Sequence, residues 1–469
     1  MKRTARFLIS LGLALCFVVP AHAQETKRDL GVLEDQRRSE RRIGMTAAKA
    51  EEKKEAETLK RLTYEEVLRQ PDNITLNYEY ARQQIAKGNL LEASTALERI
   101  LLINPDLHQV RLLYGVVLYR LDNLTEAKQA LETLEPLEMP QDVREEVRAY
   151  LKLIRKRKRR THLAVQETIG YGANTNRNAS PASKQRLFMD TALPLTGTDL
   201  KRSDAHLLNV TTVDLSQDLG FQAGHELIGS FTYYLQEQQH VNSLDLQSFD
   251  YYVGTRLKSR YVNFTPIFRA SNVFLSSENF LRTQGGHFLF DRNFGKLDLF
   301  LNTRVERQDF MPISENGTNR DRKGVRTEIE SGATYMVWRN MRLGGSLGYA
   351  HKSAKQEYNA YDTFFLKTNH TWLLGRGQFL TNGLTYEKDV YSKPDTAIAG
   401  RIRKDNFLIY QATYGAPLTF FQVGKFLPGP MKDITASFSY ECFRSLSNIT
   451  NYTYTNHEFQ GMLTKRLEF

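Results

Sequence analysis

The chain has 469 residues, with 64 Lys and Arg against 53 Asp and Glu, a formal charge of +11. That length holds two or three domains with cores of their own. With 41% hydrophobic and 25% charged residues and a mean hydropathy of −0.48, it excludes a bundle of membrane helices, each of which needs about 20 mostly apolar residues. Gly and Pro are not inflated, which excludes a collagen-like or wholly disordered chain. The odd figure is 23 Tyr and 26 Phe beside 2 Trp. A polar, aromatic-rich chain without long apolar runs has the composition of an outer-membrane β-barrel.

Residues 1–23 read as a secretory signal peptide. Lys2, Arg3 and Arg6 form its positive end, Phe7 to Val19 its apolar stretch, and Ala21-His22-Ala23 its cleavage site. The apolar stretch is too short to span a bilayer. Leu13-Ala14-Leu15-Cys16 hints at a lipoprotein signal, but Leu15 stands where a small residue belongs. Cleavage leaves Cys442 alone, so neither an intrachain disulfide nor a cysteine metal site is open to the mature chain.

Residues 24–72 are a charged helical linker. From residue 25 they carry twelve basic and twelve acidic side chains, and the stretch from Ala47 to Gln70 is rich in strong helix formers.

Residues 73–160 contain a repeat of period 34. Asn89, Leu90, Glu92, Ala93, Ala96, Leu97 and Glu98 recur as Asn123, Leu124, Glu126, Ala127, Ala130, Leu131 and Glu132, and Tyr80 recurs as Tyr114. Ala81/Gly115 and Ala93/Ala127 are small where paired helices cross, Gly88-Asn89 and Asp122-Asn123 suit the turns, and Pro105 ends a helix. A 34-residue helix–turn–helix unit resembles the tetratricopeptide repeat. A further helix over 141–154 presents Val143, Val147, Tyr150, Leu151 and Ile154 as a third layer. In this domain Tyr78, Arg82, Leu112, Tyr119 and Arg120 are the candidate groove residues for a client segment. Six cations follow, Arg155 to Arg160; in an exported protein they suit anionic headgroups, an acidic client or a solvated helix end better than nucleic acid.

From residue 161 the period falls from 3.6 to 2. Leu297, Leu299, Leu301 and Val305 alternate with Asp298, Asn302, Arg304 and Glu306, and Val325, Ile329, Ala333 and Tyr335 oppose Arg326, Glu328 and Glu330. Phe249, Tyr251 and Val253 face away from Asp250 and Arg256. Apolar-out, charged-in patterning predicts a transmembrane antiparallel barrel over 161–469 of about fourteen strands, an even number. Arg256, Arg304, Arg326, Glu328 and Glu330 are its candidate lumen-facing residues. Connections after odd strands are long (175–205, 310–323, 392–404), and those after even strands are short (Gly295-Lys296, Arg339-Asn340, Gly375-Arg376-Gly377). A connection near 416–431, with Pro417, Pro428 and Pro430, breaks this alternation and reads as a misplaced strand. Leu467 and the terminal Phe469 resemble the signal read by the barrel insertion machinery.

The order of signal peptide, small tetratricopeptide-like domain and fourteen-strand barrel resembles the surface lipoprotein assembly modulators, over about residues 74–469. Gly170-Tyr171-Gly172-Ala173-Asn174-Thr175-Asn176 is similar to that family's segment at the barrel entry. The resemblance implies an outer-membrane translocator with its helical domain in the periplasm, carrying a lipoprotein or related secreted client. Its partners would be that client, outer-membrane lipids and the insertion machinery, with no nucleic acid. No cofactor is expected: no H-E-x-x-H, G-x-S-x-G, phosphate loop or dinucleotide fingerprint occurs. His351 and His370 fall mid-strand and read as hydrogen-bonded or lumen-facing groups rather than catalysts. The other readings are a diffusion or exopolysaccharide-export channel and an outer-membrane enzyme.

Overall fold

The computed structural model describes residues 62–158, 160–221, 223–314, 317–421, 431 and 433–469. The predicted signal peptide, and the linker up to residue 61, lie outside the described residues. The chain divides into two compact units, with the boundary in sequence between Arg159 and Arg160.

The helical unit has six helices: α1 Tyr64–Arg69, α2 Ile74–Lys87, α3 Leu90–Ile103, α4 His108–Arg120, α5 Leu124–Glu132 and α6 Gln141–Lys158. Thr63 and Glu66 close a capping box on α1, and Asn73 caps α2 by accepting from the Leu76 N–H. Two helical hairpins follow, α2/α3 and α4/α5. Their turns are built alike, because Gly88 and Asp122 both take the left-handed conformation (φ 86° and 65°). The N–H groups of Asn89 and Asn123 then reach the carbonyls of Gln84 and Leu118. The 34-residue repeat is carried into packing. Ala93, Leu97, Ala127 and Leu131 are all fully buried, and a Cβ on Gly115 would sit 2.8 Å from the Leu131 side chain. On α6 Val147, Tyr150, Leu151 and Ile154 join the second hydrophobic cluster, while Val143 stays half-buried.

The second unit is a barrel with a small hairpin in its first long connection. The hairpin is β2 Gln185–Phe188 and β3 Thr191–Pro194. The barrel strands are β1 Thr161–Asn174, β4 Asp204–Asp218, β5 Glu226–Gln238, β6 Leu246–Arg256, β7 Asn263–Leu275, β8 Glu278–Phe294, β9 Leu297–Phe310, β10 Gly324–Trp338, β11 Met341–Lys352, β12 Tyr361–Gly375, β13 Gln378–Tyr391, β14 Lys404–Pro417, β15 Thr435–Ser447 and β16 Tyr454–Glu468. Each pairs antiparallel with its neighbour, and β1 pairs with β16 to close a fourteen-strand ring without an edge.

Two connections depart from expectation. The β7–β8 connection falls on the long-loop side yet is only Ser276-Ser277, both at positive φ (48° and 67°), a tight hairpin turn. Because of it β8 begins at Glu278, and a register shift at Val273/Phe274 lets Asn279 and Glu278 keep pairing. The 416–431 region holds no misplaced strand among the described residues. β14 runs to Pro417, β15 starts at Thr435, and the two pair directly, from Asp405↔Ser447 to Pro417↔Thr435.

On the inner wall three phenylalanines stand directly opposite glycines on the neighbouring strand: Phe300↔Gly332, Phe365↔Gly348 and Phe379↔Gly415. Each ring fills the space above its glycine. A Cβ would meet the ring at 2.5 Å at Gly332, and closer still at Gly348 and Gly415. Such pairs pin register in a curved sheet.

Candidate functional site

The two faces of the barrel differ sharply. Along β10, Val325, Ile329 and Tyr335 are exposed on the outside, while Glu328 and Glu330 are buried on the inside. The same parity exposes Leu299, Leu301 and Val305 on β9, Tyr251 and Val253 on β6, and Phe438 on β15. Leu467 and Phe469 are exposed on the outer face as well. An apolar exterior on a closed barrel with a charged interior is the build of a membrane-spanning barrel, because the pairing of β1 with β16 leaves no open edge in the wall.

The candidate lumen residues come together on the inner wall. Arg304 pairs with Glu328 and lies 3.7 Å from Glu330. Arg326 reaches Glu328 at 3.2 Å, and Lys367 reaches Glu330 at 3.2 Å. Ser346 donates to Glu330 at 2.7 Å. Arg256 is separate from this network and joins Glu226 at 3.1 Å. Sequence reading missed Arg269 with Asp250 and His287 with Glu306 (2.6 Å). Strand parity alone marks them as inward, once the register is set.

The opposite arc, β13 to β16 and β4, is different. It turns Glu387, Asp389, Asp405, Glu441, Glu458 and Asp204 inward, and the inward bases on those strands are only Arg466 and His206. Asp389 and Asp405 are direct cross-strand partners, 1% and 0% exposed. Thr363 donates to one Asp389 oxygen at 2.6 Å, and the other has no hydrogen bond. Asp405 is paired with Arg403, just before β14, whose guanidinium lies over the Tyr391 and Tyr452 rings at 4.6 and 3.3 Å. Like charges side by side on a sheet cost stability, and the Arg403 guanidinium supplies a cation beside this pair.

At the rim where β1 ends, the long first connection is docked rather than loose. Met189 and Asp190 donate backbone N–H groups to the carbonyls of Ala397 and Ile398, and Gly400 donates to the Asp190 carboxylate at 2.8 Å. Ile398, Ala399 and Ile449 bury an apolar core there with Leu187 and Tyr452 beside them. Burial holds the Asp395 carboxyl in this region above the usual carboxylate range, although the Ala397 N–H opposes the shift. The 170–176 segment secures the same corner. Gly172 makes room for His206, which a Cβ would meet at 2.6 Å, and the Asn176 N–H groups bond to Asn174, Asn456, Ser180 and Thr455.

In the helical unit the groove candidates are half-buried. Tyr78 packs against the first cluster, and Leu112 and Tyr119 pack against the second. Tyr119 also meets Tyr150 edge-on, ring centres 5.6 Å apart. Arg82 and Arg120 lie on the same helices, α2 and α4, also half-buried. His351 and His370 prove to be outward. His351 bonds Asp362 at 2.8 Å, and His370 meets Asn382 at 3.2 Å.

No family model matches the chain, and no curated protein matches it. Among solved structures it is similar to a loop-deletion mutant of OmpT, an outer membrane protein of Vibrio cholerae, at 9% identity over 66% of this chain and 100% of that one, TM-score 0.35. OccK9 (OpdG) and OpdQ of Pseudomonas aeruginosa match at 9% and 10% identity over 66% of this chain and 98% and 99% of theirs, TM-scores 0.31 and 0.32. At these scores the likenesses carry no inference about solute or partner. The chain's own geometry defines its class, a fourteen-strand antiparallel barrel preceded by a helical unit.

Proposed function

We propose that this chain is a non-enzymatic translocator of the Gram-negative outer membrane, moving a lipoprotein or related secreted protein from periplasm to surface. The observation that carries the reading is the joining, in one chain, of stacked helical hairpins to a closed barrel with a charged interior. Repeats of tetratricopeptide type bind extended segments along a concave face. Tyr78, Arg82, Leu112, Tyr119 and Arg120 would receive the client in the periplasm. The inward charges Arg256, Arg304, Arg326, Glu328 and Glu330 would keep the lumen wet, so that a polypeptide crosses without placing its backbone in lipid. Leu467 and Phe469 would present the outer face to the insertion machinery. No cofactor enters this scheme.

The test is surface display. Candidate lipoproteins are co-expressed with and without the chain in a laboratory Gram-negative host, and intact cells are treated with external protease. One lipoprotein is expected to become cleavable only when the chain is present, and the Tyr78→Ala/Arg82→Ala variant is expected to lower that signal several-fold with the barrel still inserted. If all candidates stay protected while the barrel is inserted, the translocator reading fails.

The acidic arc favours a second reading, a diffusion channel. A lumen with an excess of carboxylates concentrates cations. Planar-bilayer recordings in a salt gradient are expected to show cation preference, and Glu441→Gln/Glu458→Gln is expected to reduce the permeability ratio about two-fold or more. An unchanged ratio would remove the arc from the conducting path.

A further inference from the structure

A polar patch on the outer face, at the seam where the ring closes, is not explained by a lipid-facing wall. Glu167 is the seventh of the fourteen residues of β1 and shares the outward parity of Ile169 and Tyr171, which are 54% and 60% exposed. With a rise of about 3.3 Å per residue, it stands near mid-height of the wall. Its carboxylate turns towards β4, taking hydrogen bonds from Asn209 Nδ2 at 2.5 Å and Thr211 Oγ1 at 2.6 Å, both also outward. Directly opposite Glu167 on the other flank, across the β1–β16 seam, is Lys465. Its outward neighbours Leu463 and Leu467 are 50% and 44% exposed. The Lys465 ammonium has no hydrogen-bond or ion-pair partner among the described residues. An acid and a base side by side on a hydrocarbon-facing wall, with no ion pair between them, are costly there and call for another partner.

We propose that this seam is the contact of a two-fold dimer of the chain within the membrane. The patch is its own complement. Glu167 and Lys465 are cross-strand neighbours at one height. A two-fold axis along the membrane normal and passing between them sets each Glu167 before the other copy's Lys465, as an isologous contact requires. Two ion pairs then form out of water, already half-organised by Asn209 and Thr211, while Ile169, Leu207 and Leu463 supply an apolar surround. Polar contacts of this kind join transmembrane elements where the hydrophobic effect gives no drive.

The inference rests on the membrane placement proposed above, and the experiment separates the two. The full chain is extracted from outer membranes in mild detergent, its insertion is checked by heat-modifiable migration, and its mass is read by light scattering. The wild type is expected to be dimeric. Glu167→Lys is expected to weaken dimerisation at least ten-fold, and adding Lys465→Glu to it is expected to restore the dimer. In a Cys442→Ser background, Leu463→Cys is expected to give a disulfide-linked dimer in isolated membranes. Ile329→Cys, on β10 at the far side of the ring, is expected to give none. An inserted wild type that is monomeric overturns the dimer, as does a swap that fails to restore it or a Leu463→Cys product joined to another protein. A chain that does not insert overturns the membrane placement itself, and the dimer with it.

Discussion

Replacing Arg304 with methionine is expected to destabilise the barrel by about 3 kcal/mol, the lower end of the cost of breaking a buried ion pair. Arg304 is the hinge of the inner network, since among the described residues it alone forms ion pairs with both Glu328 and Glu330. Both carboxylates are buried, 8% and 5% exposed. Methionine keeps most of the length of the side chain and removes the charge, so two inward acids two residues apart on β10 lose their common cation. Arg326 and Lys367 still reach one acid each, which holds the loss to that lower end. The measurement is urea unfolding of the lipid-reconstituted protein followed by tryptophan fluorescence. Adding Glu328→Gln is expected to deepen the loss rather than recover it, because it removes the acid that Arg326 reaches and leaves that inward cation without it. A change below about 0.5 kcal/mol in the single variant, the size of an ordinary surface substitution, would mean that the network is as wet as a surface pair.

The second large effect belongs to the glycines under the inner phenylalanines. Gly415→Ala and Gly348→Ala look alike in sequence but are expected to behave differently. At Gly415 the three atoms nearest the new Cβ all belong to the Phe379 ring. Overpacking there is expected to cost about 1–3 kcal/mol, and Phe379→Ala is expected to relieve it. At Gly348 the Cβ meets the Phe365 ring and also the Ile329 carbonyl oxygen, at 2.6 Å. That oxygen belongs to the β10–β11 ladder, where Ile329 pairs with Tyr349. Removing the Phe365 ring therefore leaves a backbone clash. Gly348→Ala is expected to abolish the heat-modifiable, folded band, with or without Phe365→Ala. A folded Gly348→Ala/Phe365→Ala variant would show that the ring alone closes that position.

Much of this molecule is written locally. The 34-residue period fixes which helix positions are small, because Ala93, Ala127 and Gly115 lie where two helices touch, and a larger side chain there has no room. The alternation along β9 and β10 fixes which residues face in, because successive side chains on a strand point to opposite faces. Arg304, Arg326, Glu328 and Glu330 could be named as inward on that ground alone. Their partners could not. That Arg304 lies between Glu328 and Glu330 depends on the β9–β10 register, where Arg304 stands opposite Glu328. Register is a relation between strands that no window of one strand contains.

The same limit explains the misses. Ser276-Ser277 carries no Gly or Asn to announce a tight turn, and the two serines hold positive φ because the pairing on either side demands it. Asp389 and Asp405 belong to different strands separated by a long connection, and nothing local sets them side by side; the β13–β14 pairing does. Glu167 and Lys465 lie at opposite ends of the barrel sequence and meet only because the ring closes. Sequence by itself determined the two kinds of element, their periods and their inward and outward faces, since these follow from the geometry of a single helix or strand. Tertiary structure decided which acid meets which base, where the interior gathers acids in excess of bases and where the outer wall is polar, since each depends on register and closure across residues far apart in the chain.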